Sequence, residues 1–241
     1  IKSIYRMKNE EREDGSKKEV ADGDIVFDNV CFGYETNNMV LNNVSFSINS
    51  GEKVLIEGRT GSGKSTILQL IAGLYEQKKG CIKVGGHLIK EYRKDSYNRA
   101  IYYIFQFNPI INDTVKNNLT RYMNEYDEEK VMDAIKIVKL ENWMNKGDKK
   151  LETVICSEDV SQEESQLIAW AGVLLAKPKI LLVDEFDASI RDETIRIIDD
   201  LICHHLKDVT IIFVSHKFRS ATNMHKKVHI DAGVIEIVDK E

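Results

Sequence analysis

Gly58-Arg-Thr-Gly-Ser-Gly-Lys-Ser-Thr66 is the stretch on which the reading of this chain turns. It satisfies the pattern GxxxxGK[ST], and it stands where that pattern has meaning. A short apolar strand is predicted before it at Lys53–Glu57, and a helix after it from Lys64 to about Ala72, with Gly73 placed to end the helix. Glycines let the backbone wrap a phosphate chain with its N–H groups turned inward, and the helix N-terminus adds positive potential. Lys64 is placed to reach the β- and γ-phosphates, and the Ser65 hydroxyl to ligate Mg²⁺. The chain reads as a nucleotide binder.

A second element fits the first. Ile180-Leu-Leu-Val-Asp184-Glu185 is an apolar strand ending in two carboxylates. An acid at such a strand tip holds Mg²⁺ in P-loop NTPases, which is the role expected of Asp184. Glu185, one residue on, is placed to act as general base toward a water. Behind a phosphate loop, this pair points to hydrolysis.

Around these motifs the pattern is that of an α/β core interrupted by a helical lobe. Asp24–Phe32 and Val44–Ile48 alternate like strands, with a turn at Asn37-Asn38. Further strands are predicted near Cys81–Val84 and Ile101–Phe105. Asn112–Ala176 is predicted mostly helical. Asp127 caps a helix whose apolar face is Val131, Ile135 and Val138, and Glu163–Ala176 is a second helix stopped near Pro178. Lys179–Val183 and Val209–Val214 read as buried parallel strands, with a helix over Thr194–Leu206 between them. Residues 1–23 carry balanced charge and almost no apolar pattern, and read as a solvated linker.

Bulk properties narrow the class. The length suits one large α/β domain, and 42% apolar residues suffice for a sizeable core. A formal net charge of −5, from 34 basic and 39 acidic residues, argues against nucleic acid as a partner recognised by bulk charge. Cys31, Cys81, Cys156 and Cys203 lie far apart with no CxxC pair, the pattern of free thiols. No apolar run approaches the ~18 residues of a membrane span.

With phosphate loop and acid pair in place, about residues 24–238 resemble the ATP-binding cassette family, the motors of ABC transporters. The resemblance implies a P-loop NTPase core with an antiparallel β subdomain and an inserted α-helical subdomain at about 107–176. It makes 24–241 the cassette and 1–23 a linker from a transmembrane domain. Gly58, Arg59, Thr60, Gly61, Ser62, Gly63, Lys64, Ser65 and Thr66 then hold the nucleotide, with Arg59 where exporters usually have Pro. Val30-Cys-Phe-Gly-Tyr34 looks like the loop whose aromatic stacks on adenine, which assigns that role to Tyr34. Ile104-Phe-Gln106 looks like the Q-loop, so Gln106 is expected to ligate Mg²⁺ and sense the transmembrane partner. Val214-Ser-His216 looks like the switch motif, so His216 is expected at the γ-phosphate beside Lys64 and Glu185. ATP and Mg²⁺ are the implied cofactors, and the cytoplasmic face of the cell membrane the implied location. The implied partners are a transmembrane domain, fused upstream or separate, and a second cassette.

Two segments depart from the family pattern. Its signature LSGGQ is matched by Val160-Ser-Gln-Glu-Glu164: Ser161 is kept, while Gln162, Glu163 and Glu164 replace Gly, Gly and Gln. In the family this loop binds the γ-phosphate of ATP held by the opposite subunit. A carboxylate about 5 Å from one phosphate charge costs on the order of 3 kcal/mol at an effective dielectric of about 20. The same acids sit in a first helical turn, where they favour the dipole. Ala188-Ser-Ile-Arg191 stands where the family has SALD, so Arg191 replaces an Asp. An intact own-ATP site with an altered signature is the pattern expected of one half of a heterodimeric exporter. The alternatives are a soluble, non-transport ABC ATPase and an ATP-binding regulatory module with little turnover.

Overall fold

The computed structural model describes residues 15–17, 19–35, 38–123, 126–146, 150–186, 190–215 and 224–239. They form two compact units. The first comprises the described residues up to Tyr103, Pro178–Asp184, and those from Asp208 onward; the second comprises Ile104–Lys177 and Glu185–Lys207. The third crossing between the units falls between Asp184 and Glu185.

The first unit contains two sheets. Strands β1 (Ile25–Phe32) and β2 (Leu41–Ile48) pair antiparallel, and β4 (Lys79–Val84) and β5 (His87–Leu88) extend that sheet in the order β2-β1-β4-β5. Alternating burial along β1 and β2 turns Phe27 onto Phe46, whose rings stack at 4.6 Å. The register of β1 slips between Phe27 and Val30, where Asn29 takes a left-handed conformation that Asn tolerates. Glu35 and Asn38 bridge across the expected turn; Asn37 lies outside the described residues.

The second sheet carries the chemistry. Its order is β12-β11-β3-β10-β9-β6, from β3 (Lys53–Gly58), β6 (Ile101–Ile104), β9 (Ile180–Asp184), β10 (Thr210–Val214), β11 (Lys226–Asp231) and β12 (Val234–Asp239). β10 runs parallel to both β3 and β9, and its Val214 pairs with Ile56 on one side and Asp184 on the other. The carboxyl ends of the three strands therefore lie level, the edge at which open α/β sheets bind ligands. The unbroken apolar runs seen in the sequence are buried throughout β10 and over Ile180–Val183 of β9, as a covered parallel sheet requires. Helix α1 (Lys64–Ile71) follows β3 and buries Ile67, Leu68, Leu70 and Ile71. It ends at Ala72, and Gly73 behind it has φ 66°. Helix α2 (Lys94–Ala100) leads into β6.

Part of the segment expected as solvated linker is tied to this unit. Lys17 exchanges backbone hydrogen bonds with Glu91 and Arg93, and Val20 is buried. The polar composition that suggested a linker concealed one buried apolar anchor and a strand-like bridge. Residues 1–14 lie outside the described residues.

The second unit is helical, with α3 (Val115–Thr120), α4 (Glu128–Ile137), α5 (Glu141–Lys146), α6 (Gln162–Ala176) and α7 (Asp192–His205). A short ladder of β7 (Asp113–Thr114) with β8 (Val154–Ile155) interrupts the region expected to be mostly helical. Asp127 caps α4 by accepting from the Glu129 N–H at 3.0 Å, and Val131, Ile135 and Val138 are buried as expected. The middle of α6 is buried on all sides, with Trp170 set edge-on against Phe186, and the helix stops at left-handed Lys177 before Pro178. None of the four cysteines is in a disulfide. Among the described residues no helix is long and apolar enough to cross a membrane.

Candidate nucleotide-binding site

The phosphate loop is shaped by close approach. Gly58 closes β3 at φ 154°, and a Cβ there would stand 2.1 Å from the carbonyl oxygen of Ile230, so only glycine fits. Gly63, at φ 106°, caps α1 from the left-handed side. Between them the Ser62 N–H donates to the Arg59 carbonyl at 3.1 Å, closing a turn. The Ser62 hydroxyl is buried against this loop without a hydrogen-bond partner. Lys64 is buried too, and its ammonium donates to the carbonyls of Gly58 at 2.9 Å and Arg59 at 3.0 Å. A buried hydroxyl without a partner and an ammonium resting on carbonyls both fit a loop built for a polyanion.

Ser65 and Asp184 are brought together. The Ser65 hydroxyl donates to Asp184 Oδ1 at 2.9 Å, and the Tyr103 hydroxyl donates to Oδ2 at 3.0 Å. Hydroxyl and carboxylate oxygens side by side are the hard donors that Mg²⁺ takes, so this pair fits the expected metal. Tyr34 is not a core residue, being 53% exposed. Its hydroxyl donates to Gln69 Oε1 at 2.7 Å and pairs with the Thr66 hydroxyl at 3.0 Å, while Phe32 and Tyr75 hold its ring edge-on. Burial of the hydroxyl end pushes the phenol pKa up. An exposed ring fixed beside the phosphate-loop helix suits the stacking role.

In the second unit, Gln106 and Glu185 meet, with Gln106 Nε2 donating to Glu185 Oε2 at 3.4 Å. The loop that carries Gln106 is held by Gln166 of α6, a fully buried side chain. Its amide donates to the Phe105 and Gln106 carbonyls at 3.1 and 3.0 Å and accepts from Asn108 at 3.0 Å. Glu185 sits at φ 43°, a left-handed conformation that non-glycine residues hold only under constraint, often at functional sites. His216 lies outside the described residues.

The model of the ABC transporter family matches residues 41–188, more than half of the chain. The chain belongs to the ABC transporter family. It is an ATPase domain with the ATP-binding cassette fold. It is 31% identical over 230 residues to the ATP-dependent lipid A-core flippase of Haemophilus influenzae, covering 93% of this chain and 39% of that protein. Against the same-named protein of Escherichia coli K12 the identity is 32% over 235 residues, covering 95% and 40%. A bacterial Atm1-family ABC exporter solved with ATP bound superposes with a TM-score of 0.86 at 26% identity, covering 93% of this chain and 40% of that one. The chain thus spans about two fifths of the length of these relatives.

Within this cassette the altered signature is not the bare acidic loop that its sequence suggests. Ser161 caps α6, its hydroxyl accepting from the Glu164 N–H at 3.2 Å while Glu164 Oε2 accepts from the Ser161 N–H at 2.8 Å. Glu163 is gripped by Arg191, whose Nε reaches Oε1 at 3.1 Å and Oε2 at 2.8 Å and whose Nη2 reaches Oε2 at 2.8 Å. The Thr194 hydroxyl donates to the same carboxylate. The Arg191 hydrogen bonds hold the Glu163 carboxyl below the usual range against its desolvation. The glutamate side chain is 19% exposed and the arginine 75%, so solvent meets the cation. The charge cost expected from the sequence left out this counter-ion of Glu163. The two departures from the family pattern, at 163 and 191, are one ion pair. Of the segment 188–191, Ile190 and Arg191 are described; Ala188 and Ser189 lie outside the described residues.

Four residues of the site escaped the sequence reading in these roles. Tyr103 read as one more apolar strand position, Gln166 as one position of the predicted helix Glu163–Ala176, Thr194 as a helix start, and Arg191 as a lone replacement. A hydroxyl-bearing side chain inside the otherwise apolar run Ile101–Phe105 was the available signal for Tyr103.

Proposed function

We propose that this cassette is the Mg-ATP-hydrolysing motor of a membrane exporter, working at the cytoplasmic face of the membrane beside a transmembrane domain. The observation that carries the reading is the Ser65–Asp184 contact of 2.9 Å under a phosphate loop whose Lys64 is already buried in it. Lys64 exchanges its two carbonyl bonds for β- and γ-phosphate oxygens, and Tyr34 stacks on adenine. Ser65, Asp184 and Gln106 would hold Mg²⁺, which would supply neutralisation of the phosphate charge. Glu185 takes the proton of the attacking water, and His216 contacts the γ-phosphate. Phe107, 63% exposed next to Gln106, offers an apolar contact for the transmembrane domain. The names of the relatives, flippases and an exporter, support transport outward from or across a membrane.

The partner cassette in this reading is a different chain with an intact signature. What supports this is that the Ser161 and Glu164 N–H groups, of the kind that would face a partner's phosphate, are taken by side chains of the same turn. The lost glycines and this internal capping, rather than bare negative charge, are the obstacle to a symmetric pair.

The test is ATP binding, turnover and light scattering on one preparation. Glu185→Gln is expected to bind ATP normally and to lose turnover by about a hundredfold or more in any assembly that hydrolyses ATP. The wild-type chain alone is expected to stay monomeric with ATP. Unchanged turnover in Glu185→Gln sinks the assignment of the base, and a rapidly hydrolysing ATP-bound homodimer sinks the heterodimer.

A further inference from the structure

The carboxylate of Asp184 is held at both oxygens by hydroxyls from two different elements. Ser65, at the start of α1, takes Oδ1, and Tyr103, on the neighbouring strand β6, takes Oδ2. Ser65 is itself the expected metal ligand, so its bond to Oδ1 joins two ligand atoms. Tyr103 has a different standing. Its ring is buried, and its hydroxyl donates to the oxygen that Ser65 does not bond. A carboxylate turns easily about its terminal torsion unless something fixes its plane. A donor anchored in the sheet and aimed at one oxygen fixes which way the other points.

We propose that Tyr103 is a positioning residue for the metal ligand Asp184: its O–H locks the carboxylate so that Oδ1 is presented beside Ser65. The inference rests on the Mg-ATP reading above and adds a residue to it. Tyr103 touches neither nucleotide nor metal in this role. Its effect is on the divalent ion within the nucleotide complex, not on nucleotide affinity as such. Partners that orient a metal's ligands typically contribute about 10- to 100-fold to metal affinity.

The experiment compares wild type with Tyr103→Phe, which keeps the ring and removes the hydroxyl. Mn²⁺ is titrated by electron paramagnetic resonance against the chain loaded with a non-hydrolysable ATP analogue, and analogue binding is measured separately in EDTA. Mn²⁺ affinity in Tyr103→Phe is expected to fall about tenfold, with metal-free analogue binding within twofold of wild type. Tyr103→His, which retains a ring N–H donor, is expected to lie between the two and stands in if the phenylalanine variant does not fold. Mn²⁺ affinity unchanged in Tyr103→Phe, or equal losses with and without metal, overturns the positioning role. A wild-type chain that binds no analogue overturns the Mg-ATP reading instead, so the two failures are distinct.

Discussion

The phosphate loop and the signature turn are built from similar parts and left in opposite states. Each is a helix N-terminus with serine, a charged side chain and backbone N–H groups. In the phosphate loop they close only in part: the Lys64 ammonium donates to loop carbonyls, while the Ser62 hydroxyl is buried without a partner. In the signature turn they do close. Glu164 accepts from the Ser161 N–H as an external anion would, and Glu163 is taken by Arg191 and Thr194. The lesson is that a degenerate motif need not be a damaged one. Here the acids that replaced the second glycine and the final glutamine act as built-in anions, each taking donors from this chain.

The strongest way to break the comparison is at Lys64. Lys64→Ala is expected to weaken ATP binding about a hundredfold or more, since two charge-assisted bonds to phosphate are lost. Fluorescent-nucleotide titration measures it, with circular dichroism to verify folding. A loss of less than threefold would mean that the loop is as self-contained as the signature turn.

A smaller effect sharpens the other half. Glu163 has its pKa lowered in the fold, so its ionised form contributes stability above the unfolded glutamate pKa, near pH 4, and loses it as pH falls through the lower folded value. Wild type is therefore expected to unfold at a higher temperature than Glu163→Gln at pH 7, with the gap closing below about pH 4. In an Arg191→Ala background the gap at pH 7 is expected to shrink or change sign. A gap that is independent of both pH and Arg191 would show the pair to be idle. The smallest effect is that of Ser161→Ala, expected to cost about 1 kcal/mol of stability in urea unfolding through loss of the cap, with ATP binding unchanged.

Much of this was legible in the sequence, and the boundary of legibility has a physical cause. Phosphate loop, acid-tipped strand and the helix behind the signature are contiguous patterns, and each declares its element and its chemistry together. Asp127 capped the helix that it was expected to cap because capping is local. The Glu163–Arg191 pair joins α6 to the residue before α7, and ion pairs between elements leave no periodic trace, so two compensating changes read as two faults. Tyr103 was hidden by its own ring, which satisfies an apolar strand pattern while its hydroxyl serves Asp184. Residues 15–23 misled because backbone bonds, such as those of Lys17, are indifferent to side-chain polarity.

The unequal exposure of Glu163 and Arg191 gives their history a preferred direction. Replacing Glu163 first leaves an arginine that is already largely in water, and little is disturbed. Replacing Arg191 first leaves a shielded carboxylate beside Thr194 without its cation, an intermediate that selection would disfavour. A lineage returning to the family's pattern would thus cross at position 163 before 191, and one leaving it would acquire the arginine before the glutamate.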